Sequence, residues 1–345
     1  VKTTAAILVE TGKPLVIDEI EIPPLQPGQL LVEVKVSGVC HTQLLEARGH
    51  RGPDPFLPHC LGHEATGIVA EVSPGVSRFQ SGDRVVLSWI KGAGADVPGT
   101  KYAWGSKTVN AGGITTFSRL TIVSENRVTK LDDRISFLEG ALLGCAVPTG
   151  FGAVFNTAKA RPGQSLLVVG CGGIGLCVIS AARLAGCYPI IGVDINAAKL
   201  DCARECGADV VINSSQEDLV AVVNRVVRGG VDIALDATGA RAVIERLLAL
   251  VRNQGGAAIV IGNARNGELV QIDPKQLNAG KQIRGTWGGD NEPTIDFPRY
   301  QALMAARRIS LGHMITSTYP LDQINLALDH LENGSAVRPL IICNE

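Results

Sequence analysis

Residues 165–175, Ser165-Leu166-Leu167-Val168-Val169-Gly170-Cys171-Gly172-Gly173-Ile174-Gly175, decide the fold. The apolar run 165–169 reads as a short buried strand that empties into a G-x-G-x-x-G turn. A helical pattern follows to about Gly186, and a second apolar run, Pro189–Val193, ends at Asp194. Strand, glycine turn, helix, strand and acidic residue, in that order, form a dinucleotide-binding pattern. Gly170 permits the tight turn, Gly172 lets backbone approach a pyrophosphate, and Gly175 lets helix pack on strand. Gly173 and Ile174 open the helix, whose free N–H groups and dipole attract phosphate. Asp194 lies 19 residues beyond Gly175. A carboxylate there can accept from both ribose hydroxyls and repels a 2′-phosphate, which favours NAD over NADP.

The pattern continues on the C-terminal side. Strands are expected at 165–169, 189–193, 210–212, 231–235, 257–261 and 282–285. Helices are expected at 174–185, 197–206, 216–228, 240–252 and 274–279. Six strands alternating with helices make an α/β, doubly wound parallel sheet of the Rossmann type. On the N-terminal side the first ~130 residues read mainly as strands punctuated by Pro and Gly, a β-rich domain. A short helix is expected to begin near Thr42. Residues after about 290 add two helices and a closing strand, more than the sheet can use, and are expected to return to the first domain. The resulting boundaries are 1–147, 148–287 and 288–345.

Bulk properties agree with two domains. The 345 residues are 46 % hydrophobic and 19 % charged, enough for large cores. A net charge of −1 leaves no electrostatic footprint for nucleic acid or an acidic membrane. No apolar stretch reaches the length of a membrane span, and no signal-peptide pattern opens the chain. Nine cysteines, several in apolar or helical settings, read as reduced thiols of a cytoplasmic protein.

Three of the remaining motifs carry chemistry: Cys40-His41-Thr42, Gly62-His63-Glu64 and Cys145. Cys40, His63 and Cys145 offer two thiolates and one imidazole, a catalytic zinc set that leaves one position open. The ligands are spread over more than a hundred residues, so only a folded domain can assemble them. Tight Cys-x-x-Cys pairs, the mark of a zinc finger, are absent. Taken singly, each residue reads more readily as core packing, and the flanking residues reverse that reading.

With these motifs placed, the chain resembles the zinc-containing medium-chain alcohol dehydrogenases, nearly end to end. The stretches that carry the resemblance are Gly38–Thr42, Leu61–Glu64, Gly82–Val85, Thr116–Ser118, Gly140–Ala153, the glycine turn and Ile191–Asn196. It implies a GroES-like catalytic domain beside the Rossmann domain. It implies zinc on Cys40, His63 and Cys145, with Glu64 assisting ligand exchange. Thr42 would relay the alcohol proton while zinc polarises the substrate oxygen and NAD takes the hydride. His41 and Arg338 would contact the pyrophosphate, Thr149 would pack at the nicotinamide, and Asp194 and Lys199 would surround the adenosine ribose. Trp89 and Phe117 fall where aromatic walls of the substrate pocket are found. A homodimer or homotetramer acting on a small alcohol or carbonyl compound is implied.

Four departures stand out. Many relatives carry a second, structural zinc on four closely spaced cysteines, whereas residues 61–144 contain none. One zinc per chain is expected, with the lobe 89–100 held by other contacts. Gln43 stands where an aspartate commonly orients the zinc-bound histidine, and Leu45 where some members place a relay histidine. Cys60, three residues before His63, is an alternative ligand that its position disfavours. The competing readings are a polyol, cyclitol or sugar-alcohol dehydrogenase, a zinc-free reductase on the same fold, and an NAD-binding protein without turnover.

Overall fold

The computed structural model describes residues 1–344 and divides into two compact units, Val1–Cys145 with Glu292–Glu345, and Ala146–Asn291. The second boundary falls four residues later than expected from sequence.

In the unit 146–291, strands Leu166–Val169, Ile190–Asp194, Val210–Asn213, Ile233–Asp236, Ala257–Val260 and Gln282–Gly285 are all parallel. Their spatial order is third, second, first, fourth, fifth, sixth, the doubly wound dinucleotide-binding order. The first strand is central because Leu166 faces both Ile190 and Ile233. Its residues Leu166–Val169 are buried throughout, which is why the sequence shows an unbroken apolar run there. Ahead of the first strand the chain forms an α-helix over Ala146–Gly152 and a π-helical turn over Ala153–Thr157.

The other unit holds a closed five-stranded barrel and a seven-stranded sheet. Three barrel strands, His59–Cys60, Lys101–Trp104 and Lys107–Asn110, are too short or too polar to show in the sequence pattern. The strand Leu120–Ser124 pairs antiparallel with Gln29–Gly38. The preceding residues are tied elsewhere: Thr116 and Phe117 both donate N–H to the Leu61 carbonyl at 3.1 Å. The C-terminal strand Pro339–Ile342 adds antiparallel to Gln29–Gly38 and parallel to Ser317–Pro320. The tail therefore completes the sheet that carries the metal-ligand candidates.

The cysteine-free lobe is pinned by a carboxylate. Buried Glu125 accepts the backbone N–H groups of Ser77, Arg78 and Ala95 at 2.9, 3.0 and 3.0 Å. Ser124 Oγ accepts from Val97 N at 2.8 Å, and Lys91 pairs with Asp96 at 2.7 Å. Burial alone would raise the Glu125 pKa, but the backbone donors hold it below the ordinary range. A depressed carboxylate stabilises the fold above its unfolded pKa, and that contribution disappears as pH falls through the folded value. Glu125→Gln turns an amide toward the Ala95 N–H and leaves a buried donor unmet. A loss of about 1–3 kcal/mol is expected at neutral pH, together with a flatter acid limb of the urea-midpoint profile. Equal midpoints for variant and wild type at pH 7 would show that the lobe is held by something else.

Candidate metal and cofactor sites

Three neighbouring strands deliver the metal-ligand candidates to one edge. Gln29–Gly38 pairs with Glu64–Val72, placing Ser37 opposite Ala65, and Glu64–Val72 pairs with Arg84–Ser88, placing Glu64 opposite Ser88. Cys40 follows the first strand, His63 precedes the second and Trp89 follows the third. Ser88 Oγ donates to the Gly144 carbonyl at 2.7 Å, which anchors Cys145 to the same edge. The donor atoms of Cys40, His63, Glu64 and Cys145 all lie within 4.8 Å of one another. Cys40 caps the helix His41–Ala47, so His41 and Thr42 occupy its first turn, His41 exposed and Thr42 half-buried.

The electrostatics match the donor set. A hydrogen bond from Cys145 is the largest cause holding the Cys40 thiol well below the usual cysteine range, while the same contact pushes Cys145 up. Burial opposes charging of His63, yet the neighbouring Cys40 sulfur raises its pKa overall. His63 Nε2 is buried without a protein partner among the described residues. Two thiols, one of them predisposed to ionise, around an unpartnered imidazole nitrogen fit a zinc ion. Gln43, fully in the interior, lies against His63 Nδ1, and its Oε1 accepts from Cys40 N at 3.2 Å. Cys60 lies outside this cluster, packed in the barrel core, with burial pushing its thiol up to about 12.

Two residues assigned by resemblance are buried. Arg338 is 4 % exposed and its Nη2 pairs with Oε1 of Glu64, which is 0 % exposed. The guanidinium neutralises the carboxylate beside the metal ligands, and its Nε has no protein partner among the described residues. The Val39 N–H to Pro339 carbonyl bond, 3.1 Å, sets Arg338 at that depth. Phe117 is fully buried in the main hydrophobic core of its unit rather than facing a pocket, because its backbone is tied down on both sides. Trp89 stays half-buried at the site, its indole Nε1 donating to Cys145 Sγ at 3.3 Å. Sequence reasoning missed Gly38 and Gly144: a Cβ on either would press within 2.6 or 2.7 Å of the Glu64 side chain.

In the other unit the glycine turn takes the expected shape. Gly170 has φ +96°, a conformation costly for other residues, and a Cβ on Gly175 would meet the Gly170 carbonyl oxygen at 1.8 Å. Gly172 has open space on its Cβ side, a cradle that fits a pyrophosphate. No side chain caps the helix Gly173–Leu184 and no acid lies in its first turn, so its N-terminus suits an anion. Asp194 is nearly buried at the end of its strand and accepts from Cys171 N at 2.8 Å, Ile195 N at 2.8 Å and Asn196 N at 2.9 Å. It staples the turn to the second strand and retains acceptor capacity for a ribose hydroxyl. Lys199 is half-buried near Cys171: burial drives the Cys171 thiol upward, and the Lys199 charge opposes that rise. Thr149 is buried, and its Oγ1 has no protein partner among the described residues.

Comparisons with known proteins match both units of the chain. Residues 26–133 match the alcohol dehydrogenase GroES-like domain, and residues 173–306 match the zinc-binding dehydrogenase family. The chain is 34 % identical to an S-(hydroxymethyl)glutathione dehydrogenase of Synechocystis, over 99 % of each chain. It is 33 % identical to a class-3 alcohol dehydrogenase of Cereibacter sphaeroides, over 99 % of this chain and all of that one. Among solved structures, benzyl alcohol dehydrogenase from Acinetobacter calcoaceticus superposes with a TM-score of 0.89 at 27 % identity, with 100 % of each chain covered.

Proposed function

This chain belongs to the zinc-containing medium-chain alcohol dehydrogenase family, and on that premise we propose how its residues perform the reaction. It is a zinc-dependent, NAD-linked oxidoreductase that moves a hydride between an alcohol and the nicotinamide, giving an aldehyde or ketone. The observation that carries this reading is the convergence of Cys40, His63 and Cys145 around an unpartnered His63 Nε2. When bound, zinc supplies Lewis-acid polarisation of the substrate oxygen and NAD supplies the hydride acceptor. The rest is the chain's work. Thr42 Oγ1, on the helix turn begun by Cys40, receives the alcohol proton and passes it on toward His41 at the exposed end of that turn. Leu45, buried and without a titratable group, takes no part. Trp89 forms the aromatic wall of the substrate site. Gly172 to Gly175 cradle the pyrophosphate, Asp194 and Lys199 hold the adenosine ribose, and Thr149 packs at the nicotinamide.

One zinc per chain, with no structural zinc, is part of the same reading. It is supported by the Glu125 network in the lobe and by the absence of cysteine there. A homodimer or homotetramer joined at the sheet edge is proposed as well. The edge strand Gln282–Gly285 has largely exposed side chains, and Trp287 beside it is 77 % exposed. A cytoplasmic location is proposed from the odd number of cysteines, nine, several of them in apolar or helical settings.

Elemental analysis of wild type and Cys145→Ala tests the reading. Zinc near one equivalent per chain is expected in the wild type, with most of it lost in the variant. Zinc-free wild type, or a second equivalent retained in Cys145→Ala, would overturn the single-site assignment.

A further inference from the structure

Trp89 touches two of the three metal-ligand candidates at once. Its indole N–H donates to Cys145 Sγ at 3.3 Å, and its ring meets the His63 imidazole edge-on, 6.4 Å between centroids and 61° between planes. The residue is held on both flanks. Its carbonyl accepts from Arg127 Nη1. The adjoining Ser88 hydroxyl donates to the Gly144 carbonyl at 2.7 Å and accepts from Ile90 N at 3.0 Å. Ser88 thereby fixes the register between the turn bearing Trp89 and the segment bearing Cys145. The indole is aimed at the sulfur by backbone on both sides, and an aromatic wall alone would need no such aim.

We propose that Trp89 is a positioning residue that tunes the metal centre through an N–H···S hydrogen bond to the Cys145 thiolate. The inference rests on the zinc reading above. A hydrogen bond to a thiolate draws electron density away from sulfur, so less is donated to the metal. Cys145 becomes the weaker thiolate donor of the pair, and the metal keeps more of its positive charge for the substrate oxygen. Phenylalanine at this position would keep a ring against His63 and lose the donor, so the two roles of the side chain separate cleanly.

Cobalt(II) replacing zinc reports thiolate donation directly, through its sulfur-to-metal charge-transfer band. With the N–H removed, the sulfur lone pairs rise in energy, and the band of Trp89→Phe is expected at longer wavelength than that of the wild type. Trp104→Phe, which removes an indole bonded to Asp18 instead, serves as control and is expected to leave the band in place. A wild type that binds cobalt without any thiolate band would defeat the zinc reading itself. A normal wild-type band that stays put in Trp89→Phe would defeat this inference alone. If Trp89→Phe fails to fold or load, a second measurement decides. The chain has three tryptophans, so a Trp104→Phe/Trp287→Phe protein carries a single indole N–H. In the zinc-loaded form that proton should exchange slowly with solvent and shift on metal binding. Exchange at the rate of an exposed indole, with no shift, overturns the proposal.

Discussion

Arg338→Met is expected to lower stability by about 3–5 kcal/mol at neutral pH, the cost of leaving one partner of a buried ion pair alone. Glu64 has no solvent exposure, and the Arg338 guanidinium is the cation bonded to its Oε1. Burial already holds the Glu64 carboxyl above its ordinary range, and Arg338 is the strongest influence opposing that rise. Removing Arg338 lets the carboxyl rise further. A carboxyl whose folded pKa exceeds its unfolded value destabilises the fold as pH climbs through the folded value, and costs nothing below the unfolded one. The deficit of Arg338→Met should therefore shrink as pH is lowered toward the unfolded carboxylate range, about 4.3. Urea midpoints for wild type, Arg338→Met, Glu64→Gln and the double variant, taken across this range, check the argument. The double variant should recover most of the loss. If Arg338→Met costs as much in the Glu64→Gln background as in the wild type, the pair is not the source.

Gln43→Glu is expected to tighten zinc binding by about 10- to 100-fold, the usual scale for a partner behind a metal-bound histidine. The Cys40 N–H needs an oxygen and finds Gln43 Oε1, which turns the amide nitrogen toward His63 Nδ1. For Nε2 to bind a metal, the neutral imidazole must carry its proton on Nδ1. That proton then faces an N–H₂ group, donor against donor. Glutamate has the same length and shape, and offers an acceptor to each neighbour. Competition against a chromophoric zinc chelator measures the change without reference to turnover. Equal or weaker retention in Gln43→Glu would show that the amide is already satisfied some other way.

Both predictions concern contacts that no local pattern announces. What the sequence by itself determined is local chemistry. The glycine turn is legible because φ +96° at Gly170 and the 1.8 Å approach at Gly175 each demand glycine at a fixed spacing. The parallel strands are legible because a sheet buried on both faces leaves continuous apolar runs. Cys40, His63 and Cys145 are legible because their neighbours in sequence match those of a known metal site. Tertiary structure alone decided the rest. Arg338 reaches Glu64 across 274 residues, and one charge looks like any other until the strand Pro339–Ile342 docks beside Gly38. Glu125 pins the lobe only because backbone N–H groups from two distant turns converge on it. Phe117 and Trp89 are both aromatic and both border the ligand segments, yet one is sealed in the core and the other aims its N–H at a sulfur. Residue type fixes what a side chain can do. The packing of distant strands fixes which partner it meets, and burial then sets how strongly the two interact.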